Sequence, residues 1–279
     1  MLKIISLYLS THDLSADYSQ ALRRVAGSMA AAGIAPSNID SSRFNAWLGS
    51  LPTGRTTRSN YCRMGKTLWA FAARKKLSPP LPDDILRIKP DVKPPVAWTS
   101  DELARLTETA ARLTGRFRSS NCPQSLFWQA WVLIGYETGV RMSDLHNLRA
   151  NQLRGRRLYV THHKTGIPQG KILSENAVAL ARKLIELGDG KTIFRWALSR
   201  KHVFLHLKSL VKAAKLEGST KFLRRSCATY CEIQQPGSAS KALGHLSPHL
   251  ALKYYCDPTL MVDHCPTPPP FLQKEGVAT

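Results

Sequence analysis

A run of prolines near the end of the first third of the chain constrains the fold more than any other feature. The segment "SPPLPDDILRIKPDVKPPVAW" carries Pro79, Pro80, Pro82, Pro90, Pro94 and Pro95. Each lacks a backbone N–H and fixes its own φ, so neither a helix nor a central strand runs through the segment. The stretch reads as a semi-rigid linker that belongs to neither core. It ends at "TSDEL", where Thr99 and Glu102 have the spacing of a capping box opening a new helix. A chain of 279 residues is long enough for a core on each side of the linker. The expected boundaries are 1–86 for a first domain, 87–98 for the linker, 99–262 for a second domain and 263–279 for a flexible tail. In that tail, "CPTPPPFLQKEGVAT" cannot continue a helix.

Before the linker the periodicity is helical throughout. The start, "MLKIISLYLS", is a strand-like or helical lead-in. It has neither a small-residue cleavage site nor the length to span a membrane. A helix from about Ser15 places Tyr18, Leu22, Val25 and Met29 at helical spacing, with Gly33 as its stop and Pro36 preventing resumption. A second, over about Asp40 to Leu51, aligns Phe44, Trp47, Leu48 and Leu51. A third, from about Thr57 to Leu77, has Tyr61, Leu68 and Ala72 as apolar positions. Its other positions carry Arg58, Arg63, Lys66, Arg74, Lys75 and Lys76. A charge run is commonly just a solvated face, but charges of nearly one sign fit a face that tracks phosphates.

The second domain reads as helices around a small hairpin. Helices are expected over Ser100 to Leu113, Gln124 to Glu137, Asn176 to Leu187, Lys201 to Leu216, Leu223 to Gln234 and Ser247 to Tyr255, with a short one begun by Arg141. Between them, "RRLYVTHHKTGIPQGKILS" alternates Leu158 and Val160 with Tyr159 and Thr161, then turns at Lys-Thr-Gly, so Lys164 sits at or near a hairpin tip. The charge balance, 40 Lys+Arg against 19 Asp+Glu for a net +21, calls for a polyanionic partner, because a basic surface gains affinity by releasing condensed counterions. Nucleic acid fits this better than a membrane surface, although ribosome association would give the same balance. The six cysteines have no framework spacing, a pattern of the reducing cytosol. Cys227 and Cys231, four apart on one helix, could join His202 and His206 at a zinc ion. The plainer reading is small apolar residues on a buried face.

The residues with chemical potential are Arg141 in "ETGVRMSDL", Lys164 in "HHKTG", Arg224 in "KFLRRSCATY", His245 in "KALGHLSP" and the pair Tyr254 and Tyr255 in "KYYCDP". Two guanidinium groups match the non-bridging oxygens of a phosphodiester with paired hydrogen bonds and stay charged at any working pH. In these contexts and this order the chain resembles the tyrosine recombinase family, also called phage integrases. The family's "TGxRxSEL" box is matched by Thr138, Gly139, Arg141, Ser143, Asp144 and Leu145, and its "LGH" box by Leu243, Gly244 and His245. Its "HxLR" box is matched by Leu223 and Arg224, with Lys221 in place of the histidine.

The resemblance implies a mainly α fold with a small antiparallel β-sheet, made of an N-terminal helical core-binding (SAM-like) domain and a catalytic domain. It implies a cytoplasmic, nucleoid-associated enzyme that recombines double-stranded DNA as a homotetramer on paired sites, with no metal and no cofactor. A tyrosine nine or ten residues after His245 would be the nucleophile, hence Tyr254 or Tyr255. The following "CDP" resembles the ending of the ten-residue type and favours Tyr255, leaving Tyr254 to pack beneath the helix. Arg141, Arg224 and His245 would bind the phosphate, Lys164 would protonate the leaving oxygen, and Asp144 would orient a cation. Lys221 would contact phosphate in place of the family's histidine, and Arg225 the DNA backbone. Rival readings are a catalytically inactive DNA-binding integrase remnant and a type IB topoisomerase-like strand-swivelling enzyme.

Overall fold

A computed structural model describes residues 1–91, 93–161, 166, 168–244 and 247–261. It divides into two compact units, Met1–Lys93 and Pro94–Thr279, each with its own hydrophobic core.

The first unit is four helices: α1 (Leu2–Thr11), α2 (Ala16–Ala31), α3 (Ser41–Ser50) and α4 (Arg55–Arg74). The N-terminal lead-in is therefore helical, with Ile4, Ile5 and Tyr8 turned inward. Caps set the boundaries. Ser15 Oγ accepts from Tyr18 N–H at the start of α2, and Asp40 Oδ1 accepts from Arg43 N–H at the start of α3. Leu22, Val25, Met29, Phe44, Leu48 and Leu68 are fully buried between the helices. On α4, Arg63 and Arg74 are exposed and Lys66 is half-buried, and Lys75 and Lys76, just past its end, are exposed. Arg58 differs, since its Nη2 donates to Leu51 O (3.1 Å) and Thr53 O (3.3 Å) of the preceding loop.

The second unit is built on α5 (Ser100–Ala111), α6 (Gln124–Thr138) and α7 (Met142–His146). A sheet of β1 (Leu153–Arg154), β2 (Arg157–Thr161) and β3 (Pro168–Ile172) follows. Then come α8 (Glu175–Leu187), α9 (Arg200–Ala213), α10 (Thr220–Gln234), α11 (Ser238–Leu243) and α12 (Pro248–Tyr255). The sheet is antiparallel in the order β1-β2-β3. Leu158 and Val160 face the core, while Arg157, Tyr159 and Thr161 face out, so the alternation read from the sequence sets the pleat. Helix α6 is enclosed on nearly all sides, with Phe127, Trp128, Ala130, Trp131, Val132 and Ile134 buried. Among the described residues no helix is long and apolar enough to cross a membrane.

The proline-rich segment is not excluded from the cores, which corrects the sequence reading. Its carbonyl at Pro79 accepts from Trp69 Nε1 (3.0 Å), and Ile85 is buried in the first unit. At the other end Trp98 is a core residue of the second unit, 1% exposed. Its indole donates to Glu217 O (2.7 Å), its N–H donates to Ser226 Oγ, and its carbonyl accepts from the same hydroxyl. Proline limits hydrogen-bonding pattern, not burial, so large apolar side chains in such a segment still find a core.

The capping box at α5 is formed in both directions, Glu102 N–H to Thr99 Oγ1 (3.2 Å) and Thr99 N–H to Glu102 Oε2 (2.9 Å). Thr99→Ala is expected to cost about 1 kcal/mol of stability, read as a lower urea midpoint with an unchanged m-value.

Candidate active site

The site forms where three helix ends meet. Helix α6 stops at Gly139, whose φ of +58° gives the left-handed turn that closes it. Two residues later Arg141 is the N-cap of α7. Its Nη1 lies 4.0 Å from Asp144 Oδ2, and that nitrogen is buried with no hydrogen-bond partner among the described residues. Arg224, on α10, is only 5% exposed. Its Nη1 donates to Gly139 O and its Nη2 to Leu243 O (3.0 Å), so it ties the end of α6 to the end of α11. Its guanidinium also lies 5.0 Å from the centre of the Tyr255 ring and hydrogen-bonds the Tyr255 side chain. Burial lowers the pKa of Arg224; Tyr255 opposes this and Arg141 adds to it. The ordinary arginine range lies so far above neutral pH that the group stays cationic.

Beside these groups is a cavity of about 930 Å³, lined by Arg141, Lys221, Arg224, Arg225, Tyr254 and Tyr255 among others. Lys221 is exposed at its edge and Arg225 is half-buried, its guanidinium 5.8 Å from the Phe222 ring. The structure thus brings together Arg141, Asp144, Lys221, Arg224, Arg225 and both tyrosines. Lys164 and His245 lie outside the described residues, as do His162 and His163. Arg200 and Phe204, one turn apart on α9, also line the cavity. Nothing in the sequence singles them out, because Phe204 breaks no pattern on α9 and Arg200 is one cation among many.

The two tyrosines are not equivalent. Tyr255 is half-buried and packs on the small cluster of Ala228, Ala239, Leu243, Ala251 and Cys256. Tyr254 is 44% exposed, with Lys253 Nζ 5.6 Å from its ring centre. The expectation that Tyr254 packs beneath the helix is therefore corrected. Ala251 and Tyr255, four apart, define the inner face of α12, and the position before Tyr255 is rotated by about 100° to the outside. Asp257, 2% exposed, fixes the turn that follows: Oδ2 accepts from Ala97 N–H (2.7 Å), Oδ1 accepts from Thr259, and its own N–H donates to Thr229 Oγ1 (2.9 Å).

The cysteines and histidines weighed as a zinc set have other partners. Cys227 and Cys231 hydrogen-bond each other, which raises the pKa of Cys227, with burial adding to it, and brings Cys231 down to about 7. His206 meets the Phe117 ring edge-on at 5.4 Å, and His202 Nδ1 pairs with Ser199 Oγ (2.9 Å). Among the described residues no three metal-ligating side chains converge.

Gly139 has no room for a side chain. A Cβ there would lie 2.8 Å from Cys227 Sγ and 3.1 Å from Leu243 Cδ2, on a backbone already in the left-handed region. Gly139→Ala is expected to destabilise by about 2–4 kcal/mol, the sum of conformational strain and overpacking, measurable by thermal or urea unfolding.

The Phage integrase family profile matches residues 98–259, more than half of the chain and every residue placed at the cavity. The chain belongs to the phage integrase family. Comparison with curated protein sequences finds no match. Among solved structures, this integrase-family chain is similar to a lambda integrase (residues 75–356) dimer bound to a COC′ core site. The TM-score is 0.76 at 18% identity, covering 95% of this chain and 98% of that one. A lambda integrase tetramer bound to a Holliday junction gives a TM-score of 0.68 at 18% identity, covering 91% and 75%. XerH site-specific recombinase in a post-cleavage complex with palindromic difH substrate gives 0.62 at 15% identity, covering 77% and 68%. At such identities the structures speak for the fold, and that fold extends through the first unit as well as the integrase domain.

Proposed function

We propose that this phage-integrase-family protein is a site-specific DNA recombinase that breaks and rejoins strands through a covalent 3′-phosphotyrosine at Tyr255. The observation that carries this reading is Arg224, buried and held by two carbonyl oxygens, with its guanidinium against the Tyr255 side chain. In this reading Arg224 is the fixed cation at the point where the phenolic oxygen meets the phosphodiester. The Nη1 of Arg141, ion-paired with Asp144 but with no hydrogen-bond partner among the described residues, supplies a second donor already removed from water, the kind of preorganised group that stabilises charge growing on non-bridging oxygens.

The chemistry balances with this chain's own residues. Tyr255 Oη bonds to phosphorus as the P–O5′ bond breaks, its proton passes to water in the open cavity, and the 5′ oxygen takes a proton from Lys164. Return of the 5′ hydroxyl of a partner strand reverses the step. Lys221, at the cavity edge, contacts phosphate, and Asp144 holds Arg141. Arg63, Lys66, Arg74, Lys75 and Arg225 contact the backbone, whereas Arg58, already spent on loop carbonyls, drops from that set. Double-stranded DNA is the substrate and four protomers assemble on two sites; the DNA-bound dimer and tetramer of lambda integrase support this assembly. No metal ion enters the steps above.

The test is incubation of the protein, in EDTA, with nicked duplexes made from DNA flanking its own gene, followed by a denaturing gel. A covalent adduct supports the reading. Tight, salt-sensitive binding without an adduct on any of these duplexes would instead identify a DNA-binding remnant.

A further inference from the structure

Helix α11 ends with three consecutive carbonyl oxygens, and a side chain from elsewhere in the fold takes each of them. Lys241 O accepts from Gln169 Nε2 (2.8 Å), Ala242 O from Lys171 Nζ, and Leu243 O from Arg224 Nη2 (3.0 Å). The last carbonyls of any helix lack partners within it, and the usual solutions are water or a backbone turn. Here the backbone turn at Gly244 supplies one donor, to Lys241 O (3.2 Å); of the three side-chain donors, two come from β3, a strand distant in sequence, and the third is the cation of the site. At its other end α11 is held by Glu232, whose carboxylate accepts from Gly237 N–H (2.7 Å) and Ala239 N–H (3.0 Å).

We propose, on the strength of the recombinase reading above, that Lys171 is a positioning residue for Arg224, acting through the last turn of α11. Lys171 holds Ala242 O, and the adjacent Leu243 O is the acceptor that fixes one arm of the Arg224 fork. If the turn moves, the guanidinium loses that arm and its register on Tyr255. The ammonium is half-buried; burial lowers its pKa, the Cys227 and Cys231 thiols oppose that shift, and Arg224 adds to it. A neutral amide such as the neighbouring Gln169 closes a carbonyl without that like-charge cost. That cost falls once an anion occupies the cavity lined by Arg141 and Arg224.

The experiment uses full-length protein with Lys171→Met, Lys171→Arg and Arg224→Ala. Each is assayed on nicked DNA carrying either the normal scissile phosphate or a methylphosphonate, which lacks the non-bridging charge. Thermal unfolding of each variant runs alongside. Lys171→Met is expected to slow adduct formation by about 10- to 100-fold on the phosphate substrate, the scale of a misplaced catalytic group. Lys171→Arg should recover most of the rate. The deficit of Lys171→Met should shrink on the methylphosphonate in the same sense as that of Arg224→Ala. A wild-type rate for Lys171→Met, or an equal deficit on both substrates, would overturn the assignment. Should wild-type protein form no adduct, the recombinase reading is what fails. The ¹⁵N spectrum of the Arg224 guanidinium then decides: separate Nη signals that merge in Lys171→Met support the positioning role, and an unchanged spectrum refutes it.

Discussion

Tyr255→Phe should abolish the covalent protein–DNA adduct, with a loss of at least about 10³-fold, as expected when the only nucleophile is deleted. Tyr254→Phe should stay within about threefold of wild type, the effect of a surface substitution. The contrast follows from helix geometry. Arg224 reaches the Tyr255 ring and side-chain oxygen from beneath, whereas Tyr254 is exposed and pairs with the neighbouring Lys253. Phenylalanine keeps the ring that packs on Ala251 and Cys256, so the first variant removes one oxygen and little else. Denaturing gels of suicide-substrate reactions, with both variants at equal concentration, read the difference directly. An adduct retained in Tyr255→Phe and lost in Tyr254→Phe would transfer the role and require α12 to turn when DNA binds.

Arg224→Ala should have two separable effects. Removing a preorganised donor from the transition state costs about 10²- to 10³-fold in rate. Removing it from the fold strands the carbonyls of Gly139 and Leu243, at about 1–3 kcal/mol for each buried group left unsatisfied. Arg224→Lys keeps the charge but not the fork, and one ammonium cannot span both oxygens and the Tyr255 ring. It should recover part of the stability and little of the rate. Unfolding curves and single-turnover adduct formation separate the two quantities. A lysine variant with wild-type rate would mean that charge alone suffices at this position.

Much of this arrangement is legible in the residues themselves. The caps at Ser15, Asp40 and Thr99 mark helix starts within a residue or two, because a side-chain acceptor three residues before a free N–H is a local event. The alternation in β2 and the break at Gly139 are equally local. What escapes is set by distant partners. Strand β1 is two residues long and exists only through pairing with β2. Helix α11, "SASKAL", has a single apolar i,i+4 pair, Ala239 and Leu243, and is otherwise defined by Glu232, Gln169, Lys171 and Arg224 reaching in from other elements. Trp98 looks like the end of a linker because prolines precede it, yet its indole completes the core. Arg58 reads as one more cation of a basic face until its loop acceptors are seen.

Helix α10 meets a different segment at nearly every turn: Arg224 the ends of α6 and α11, Ser226 the backbone of Trp98, Thr229 the residue after the α12 turn, and Glu232 the start of α11. Successive positions on a helix are about 100° apart, so these appointments are kept by counting. One residue inserted between Arg224 and Ser226 would leave the arginine in place and swing the other three away from their partners together. Chain length inside α10 is therefore more tightly constrained than the identity of most of its side chains, and the tolerance of this domain to insertion should drop sharply between residues 224 and 232.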